Sequence, residues 1–101
     1  MPAGYGRMIK IKTDYLSKGF GITVARLRKQ KALTQETLAF EAALTRTYIS
    51  LVERGKASPT LNTIHALAQI LGTDAAQLVQ LAFQESLVQE RANAGLPPLE
   101  N

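Results

Sequence analysis

The sequence predicts an all-α fold, one compact domain of five helices, and three observations carry that prediction. Apolar residues recur every three or four positions in three segments: Phe20, Val24 and Leu27; Leu61, Ile64, Leu67, Ala68 and Leu71; and Leu78, Val79, Ala82, Phe83 and Leu87. That repeat marks one buried face of a helix. A hydroxyl or carboxylate able to accept from unpaired amides stands at the head of each expected helix, at Ser17, Thr34, Thr45, Thr60 and Asp74. Finally, the stretch Thr34 to Arg54 reads as two short helices meeting at a sharp turn. Only Ala42, Ala43 and Leu44 lie before the second cap, and only a bent pair of helices brings Leu38, Ala39, Leu44, Ile49 and Val52 together.

Taken in order, residues 1–16 have weak periodicity. Arg7, Lys10 and Lys12 are interspersed with Met8, Ile9 and Ile11, which reads as a loosely ordered basic leader, a short strand, or an arm whose charges lie along a phosphate backbone. Ser17 caps a first helix running to about Lys31, with Gly19 and Gly21 weakening its first turn. The two short helices follow. Gly55-Lys56-Ala57-Ser58-Pro59 holds the breakers of a loop, Thr60 opens the fourth helix, and Gly72 ends it. Asp74 with Gln77 three residues on resembles a capping box, and the fifth helix extends to about Asn93, where Gly95 and Pro97-Pro98 stop it. The expected division is a leader or arm over 1–16, a folded domain over 17–82, and a C-terminal helix extension and tail over 83–101.

Composition narrows the function. The chain has 101 residues, 46% of them hydrophobic, which suffices for one core and not for two domains. It has no cysteine, so disulfides and thiolate metal sites are excluded. No apolar run reaches membrane-spanning length and no secretory h-region is present, so a cytoplasmic location is expected. The net charge of +4 favours a polyanionic partner. The single histidine, His65, stands beside an apolar stripe with no nucleophile or metal-spaced cluster for company, and Asp14, Glu36, Glu41 and Asp74 form no acid–base pair. An enzyme is therefore not expected, and neither is a metal or other cofactor.

At 100° per residue, Ile49, Val52 and Glu53 share one side of the second short helix, and Thr47, Ser50, Leu51 and Arg54 share the other. Arg46 and Tyr48 flank the two sides at its start. A face that begins with a guanidinium, a hydroxyl and a phenol suits the major groove, where Arg pairs bidentately with guanine and a Thr methyl meets that of thymine. Glu53 points with the core side chains, and an unpartnered carboxylate there costs on the order of 3 to 5 kcal/mol.

The run LTRTYISLVERGKASPTLNTI, within a likeness covering about Phe20 to Val79, resembles the helix-turn-helix of the phage-repressor, or XRE-like, family of DNA-binding regulators. A narrower likeness, in Arg-Thr-Tyr-Ile-Ser, is to the controller proteins of restriction-modification systems. The resemblance implies a repressor-like five-helix domain with an extended C-terminal helix. It sends Arg46, Thr47 and Leu51 to base edges, and it assigns backbone contacts to Gln35, Tyr48, Ser50, Arg54, Lys56, Ser58 and Thr60. It pairs Arg28 with Glu53 as a structural ion pair. The family commonly has glycine where this chain has Ala32 and Ala43, and an alanine in a left-handed conformation costs on the order of 1 kcal/mol.

The leading expectation is thus a sequence-specific regulator binding double-stranded DNA as a homodimer on a two-fold symmetric operator, its recognition helix at 46–53 in the major groove. Phe83, Leu87 and Val88 are surplus to a five-helix core and supply the expected dimer contact. No small-molecule effector is evident, so occupancy is expected to follow protein concentration. The competing expectation is a protein-interaction module or antitoxin-like protein of the same fold, docking a partner on residues 84–101.

Overall fold

The computed structural model describes residues 13–98, which form five α-helices: α1 (Thr13–Gln30), α2 (Gln35–Glu41), α3 (Arg46–Glu53), α4 (Leu61–Ile70) and α5 (Ala75–Asn93). The expectations for the basic segment ending at Lys12 lie outside the described residues. No helix among those described is long and apolar enough to cross a membrane.

Four of the five N-caps stand where the sequence put them. Thr34, Thr45 and Thr60 accept from the amides of Thr37, Tyr48 and Thr63, and Asp74 accepts from that of Gln77. The Gln77 side chain does not complete a capping box, because its Oε1 accepts from the Thr73 hydroxyl at 2.8 Å. Ser17 is not a cap. The first helix already includes Thr13, so the expected boundary at 16/17 falls inside a helix, and the physical reason is visible in the turns around it. Tyr15 is buried, Leu16 packs on the core, and the Tyr15 hydroxyl accepts from Asn93 at the far end of α5. Contacts with a partner helix distant in sequence thus carry α1 past the start that Ser17 marks locally.

All five helices end the same way. Each closes with paired bonds from the two residues after its cap, as in Leu33 N to Arg28 O at 3.1 Å and Ala32 N to Lys29 O at 3.0 Å. The residue that turns the chain has φ near +56° at Ala32 and +57° at Ala43, with glycine at the other three ends. Both alanines therefore take the left-handed conformation that the resemblance implied.

The core gathers Phe20 and Val24 of α1, Leu38 and Ala39 of α2, Ile49 and Val52 of α3, Ile64, Leu67 and Ala68 of α4, and Leu78 and Ala82 of α5. Leu61 departs from its expected stripe. It is 81% exposed, because the first turn of α4 projects beyond the core. Helices α1 and α5 run antiparallel, since Tyr15 meets Asn93 while Gly19 meets Ser86. Gly19 and Gly21 are helix-weakening residues retained for close approach. A Cβ on Gly19 would lie 2.7 Å from Ser86 N and would overlap Ala82 O. One on Gly21 would lie 2.8 Å from Glu53 O and overlap Val52 O. The two glycines seat α1 against α5 on one side and α3 on the other.

Candidate nucleic-acid interface

Helix α3 is fixed from its inner face. Ile49 and Val52 are fully buried against Leu38 and Ala39 of α2, and Leu44 in the turn packs on the same cluster. Glu53 anchors the C-terminal end. Its Oε2 accepts from Arg28 Nε at 2.6 Å, and its Oε1 accepts from Arg28 Nη2 at 2.9 Å and from Gln35 Nε2 at 3.0 Å. The remaining guanidinium nitrogen of Arg28 donates to Leu33 O at 2.9 Å. The two charged side chains are only 11% and 7% exposed, so this bidentate pair joins α1, α2 and α3 in a largely dry setting. The hydrogen bond to Glu53 raises the Arg28 pKa above its ordinary value, outweighing the lowering effect of burial. Sequence reasoning named the pair but missed Gln35 and Leu33 O, whose participation depends on the Ala32 turn.

With that face committed, the other side of α3 is presented outward. Arg46 and Thr47 are exposed at its N-terminal end, while Tyr48, Ser50 and Leu51 are half-buried, Tyr48 leaning on the core. Arg46 also lines an open concavity with Arg28, Ala32, Leu33, Thr34, Gln35 and Glu36, so the starts of α2 and α3 border one shallow surface.

Beyond the half-buried Tyr48 and Ser50, the residues expected at the DNA backbone fall into two sets. Lys56, Ser58 and Arg54 are exposed, although Arg54 Nε bonds back to Ser50 O at 3.3 Å. Gln35 and Thr60 are partly committed within the fold, one amide hydrogen of Gln35 to Glu53 and the Thr60 hydroxyl hydrogen to Thr63 Oγ1 at 3.1 Å. The residues expected at a dimer contact are 42%, 39% and 43% exposed at Phe83, Leu87 and Val88. At 100° per residue Phe83 and Leu87 lie 40° apart on one flank of α5, and Val88 lies a further 100° round. Among the described residues no group of acids and His65 is disposed to hold a metal ion.

Residues 24–78 match the family described as Helix-turn-helix. Over 64 residues the chain is 41% identical to the uncharacterized HTH-type transcriptional regulator y4dJ of Sinorhizobium fredii, a match spanning 63% of this chain and 83% of that protein. Among solved structures it is similar to the restriction-modification controller protein C.AhdI from Aeromonas hydrophila, with 40% identity and a TM-score of 0.59 over 61% of this chain and 94% of that one. It is also similar to the controller protein C.Esp1396I, solved as a tetramer in complex with its natural 35 base-pair operator. That match has 28% identity and a TM-score of 0.62, and it covers 71% of this chain and 95% of the other.

Proposed function

Since this chain belongs to the helix-turn-helix family of transcriptional regulators, we propose that it binds a two-fold symmetric operator as a homodimer, each α3 entering the major groove of one half-site. The observation that carries this reading is the division of α3. Its inner face is locked by Ile49, Val52 and the Glu53–Arg28 pair, and its outer face opens with Arg46 and Thr47 exposed. A rigid helix whose tip carries a guanidinium unpaired among the described residues can hold the fixed geometry that bidentate base contact requires.

Arg46, Thr47 and Leu51 read base edges. Tyr48, Ser50, Arg54, Lys56 and Ser58 hold the phosphate backbone, as do Gln35 and Thr60 through what their internal bonds leave free. Arg28 and Glu53 are structural, setting the angle of α3. Phe83 and Leu87 centre the dimer contact, with Val88 at its edge, so that two copies place their reading helices on successive half-sites. The likeness to a controller protein solved on its operator supports this arrangement. The protein acts in the cytoplasm.

Selection of bound duplexes from a random pool at about 150 mM salt, where nonspecific binding is weak, tests the reading. Enrichment of a two-fold symmetric motif is expected. A folded protein that enriches no motif would overturn sequence-specific binding and favour a protein-interaction role.

A further inference from the structure

Two surface features stand outside the proposed DNA contacts. On α2, Leu38 and Ala39 face the core, and the centre of the opposite face is Phe40, flanked by Glu36, Thr37 and Glu41. Phe40 is 85% exposed. A bare phenyl ring between carboxylates leaves a large apolar area in water with no packing in return. Neither Glu36 nor Glu41 is in an ion pair among the described residues.

The second feature is on α1, where Ile22, Ala25, Arg26 and Lys29 fall at i, i+3, i+4 and i+7, turned away from Phe20 and Val24. With Gln30 and Glu53 they line an open groove, apolar at Ile22 and Ala25 and cationic at Arg26 and Lys29. Glu53 is already neutralised by Arg28, and Arg26, though paired with Glu85 at 2.9 Å, keeps a side chain exposed to 44%. An acid-flanked ring and a base-flanked apolar groove are complementary in both charge and hydrophobicity, and the same chain carries both.

We propose that they meet between two copies of the chain, Phe40 of one seated on Ile22 and Ala25 of the other, with Glu36 and Glu41 against Arg26 and Lys29. Ring and groove are different surfaces, so this contact is separate from the two-fold one on α5 and joins one dimer to the next along the duplex. One aromatic ring contributes roughly 150–250 Å², far below the ~1,200 Å² of a stable interface, so the contact is weak in free solution. The proposal rests on the DNA-binding reading for the place where copies meet. Held side by side on one duplex, they see each other at effective concentrations on the order of millimolar, and the contact becomes cooperative filling of adjacent sites.

The chain has no cysteine, so single-cysteine variants report the contact without background. Thr37→Cys, beside Phe40, and Ala25→Cys, in the groove, are mixed in equal amounts and oxidised mildly on a long nonspecific duplex at low salt. The mixed disulfide is expected at about tenfold over its statistical share relative to the two like disulfides. Adding Phe40→Ala to the Thr37→Cys chain should return the yield to that share. Lys29→Glu in the Ala25→Cys chain should lower it, and Glu41→Lys in the other should restore it. A statistical mixture overturns the contact, as does an excess that survives Phe40→Ala. A gel shift on the same samples separates the two failures: protein that binds the duplex but cross-links statistically overturns this contact alone, whereas protein that leaves the duplex unshifted overturns the DNA-binding reading.

Discussion

Ala32 and Ala43 hold left-handed backbone that glycine adopts without steric cost. Replacing either by glycine relieves about 1 to 2 kcal/mol of strain and returns part of it as unfolded-chain entropy. Ala32→Gly and Ala43→Gly are therefore each expected to stabilise the fold by about 0.5 to 1 kcal/mol, read as a higher denaturant midpoint with unchanged slope. Arg28→Ala acts in the other direction. It leaves the Glu53 carboxylate nearly buried with, among the described residues, only Gln35 as partner, which should cost about 3 to 5 kcal/mol and lower the melting midpoint. An unchanged midpoint and unchanged DNA affinity would remove the structural role from this pair. Because the Arg28 pKa is raised in the fold, the pair's stabilisation is complete below the guanidinium's ordinary value and is lost only as pH rises through the raised one. Arg28 therefore introduces no pH dependence near neutrality. At the reading face, Arg46→Ala should cost about 1 to 3 kcal/mol on a selected site and relax preference at one base pair. Equal losses on selected and random duplexes would argue that Arg46 holds phosphate instead.

At the scale of elements, the orientation of α3 depends on how closely α1 can approach it. Gly21 faces the C-terminal carbonyls of α3, and a methyl group there meets backbone, which cannot rotate out of the way. Gly21→Ala should therefore push α3 off α1, costing on the order of 1 to 3 kcal/mol of stability. It should also weaken DNA binding, since the Arg28–Glu53 distances change with it. A variant with lower stability and full affinity for the selected site would show that the angle of α3 is set elsewhere. The two short helices illustrate the complementary case. At seven and eight residues α2 and α3 are too short to persist alone, so threonine caps define where they start while burial of Leu38, Ala39, Ile49 and Val52 makes them stable.

For the molecule as a whole, a monomer presents one reading helix and a dimer presents two, so affinity and oligomeric state are linked. Phe83 and Leu87 are both substantially exposed, so Phe83→Glu with Leu87→Glu should change monomer stability by less than about 1 kcal/mol. The same pair should dissociate the proposed dimer in sedimentation experiments and lower affinity for a two-fold site at least tenfold. A variant that sediments as a dimer would move the interface elsewhere on the chain. Val88→Glu, on the other flank of α5, is expected to have the smaller effect, and this ordering tests the geometry of the contact as well as its existence.

The sequence by itself determined the five helices, four of their caps, the sharp turn at Ala43 and the two faces of α3, because periodicity and capping are local properties of the chain. The Arg28–Glu53 pairing was legible through the family resemblance, and the acid's inward direction was legible from the helical wheel. Only the tertiary structure decided the rest. It carried α1 back beyond Ser17, where contact with α5 outweighs the local start signal, and it left Leu61 in solvent despite its place on the apolar stripe. It turned Gly19 and Gly21 from helix-weakening residues into points of close approach and drew Gln35 to Glu53. Each of these depends on which surfaces meet across long stretches of chain, and local sequence patterns do not carry that information.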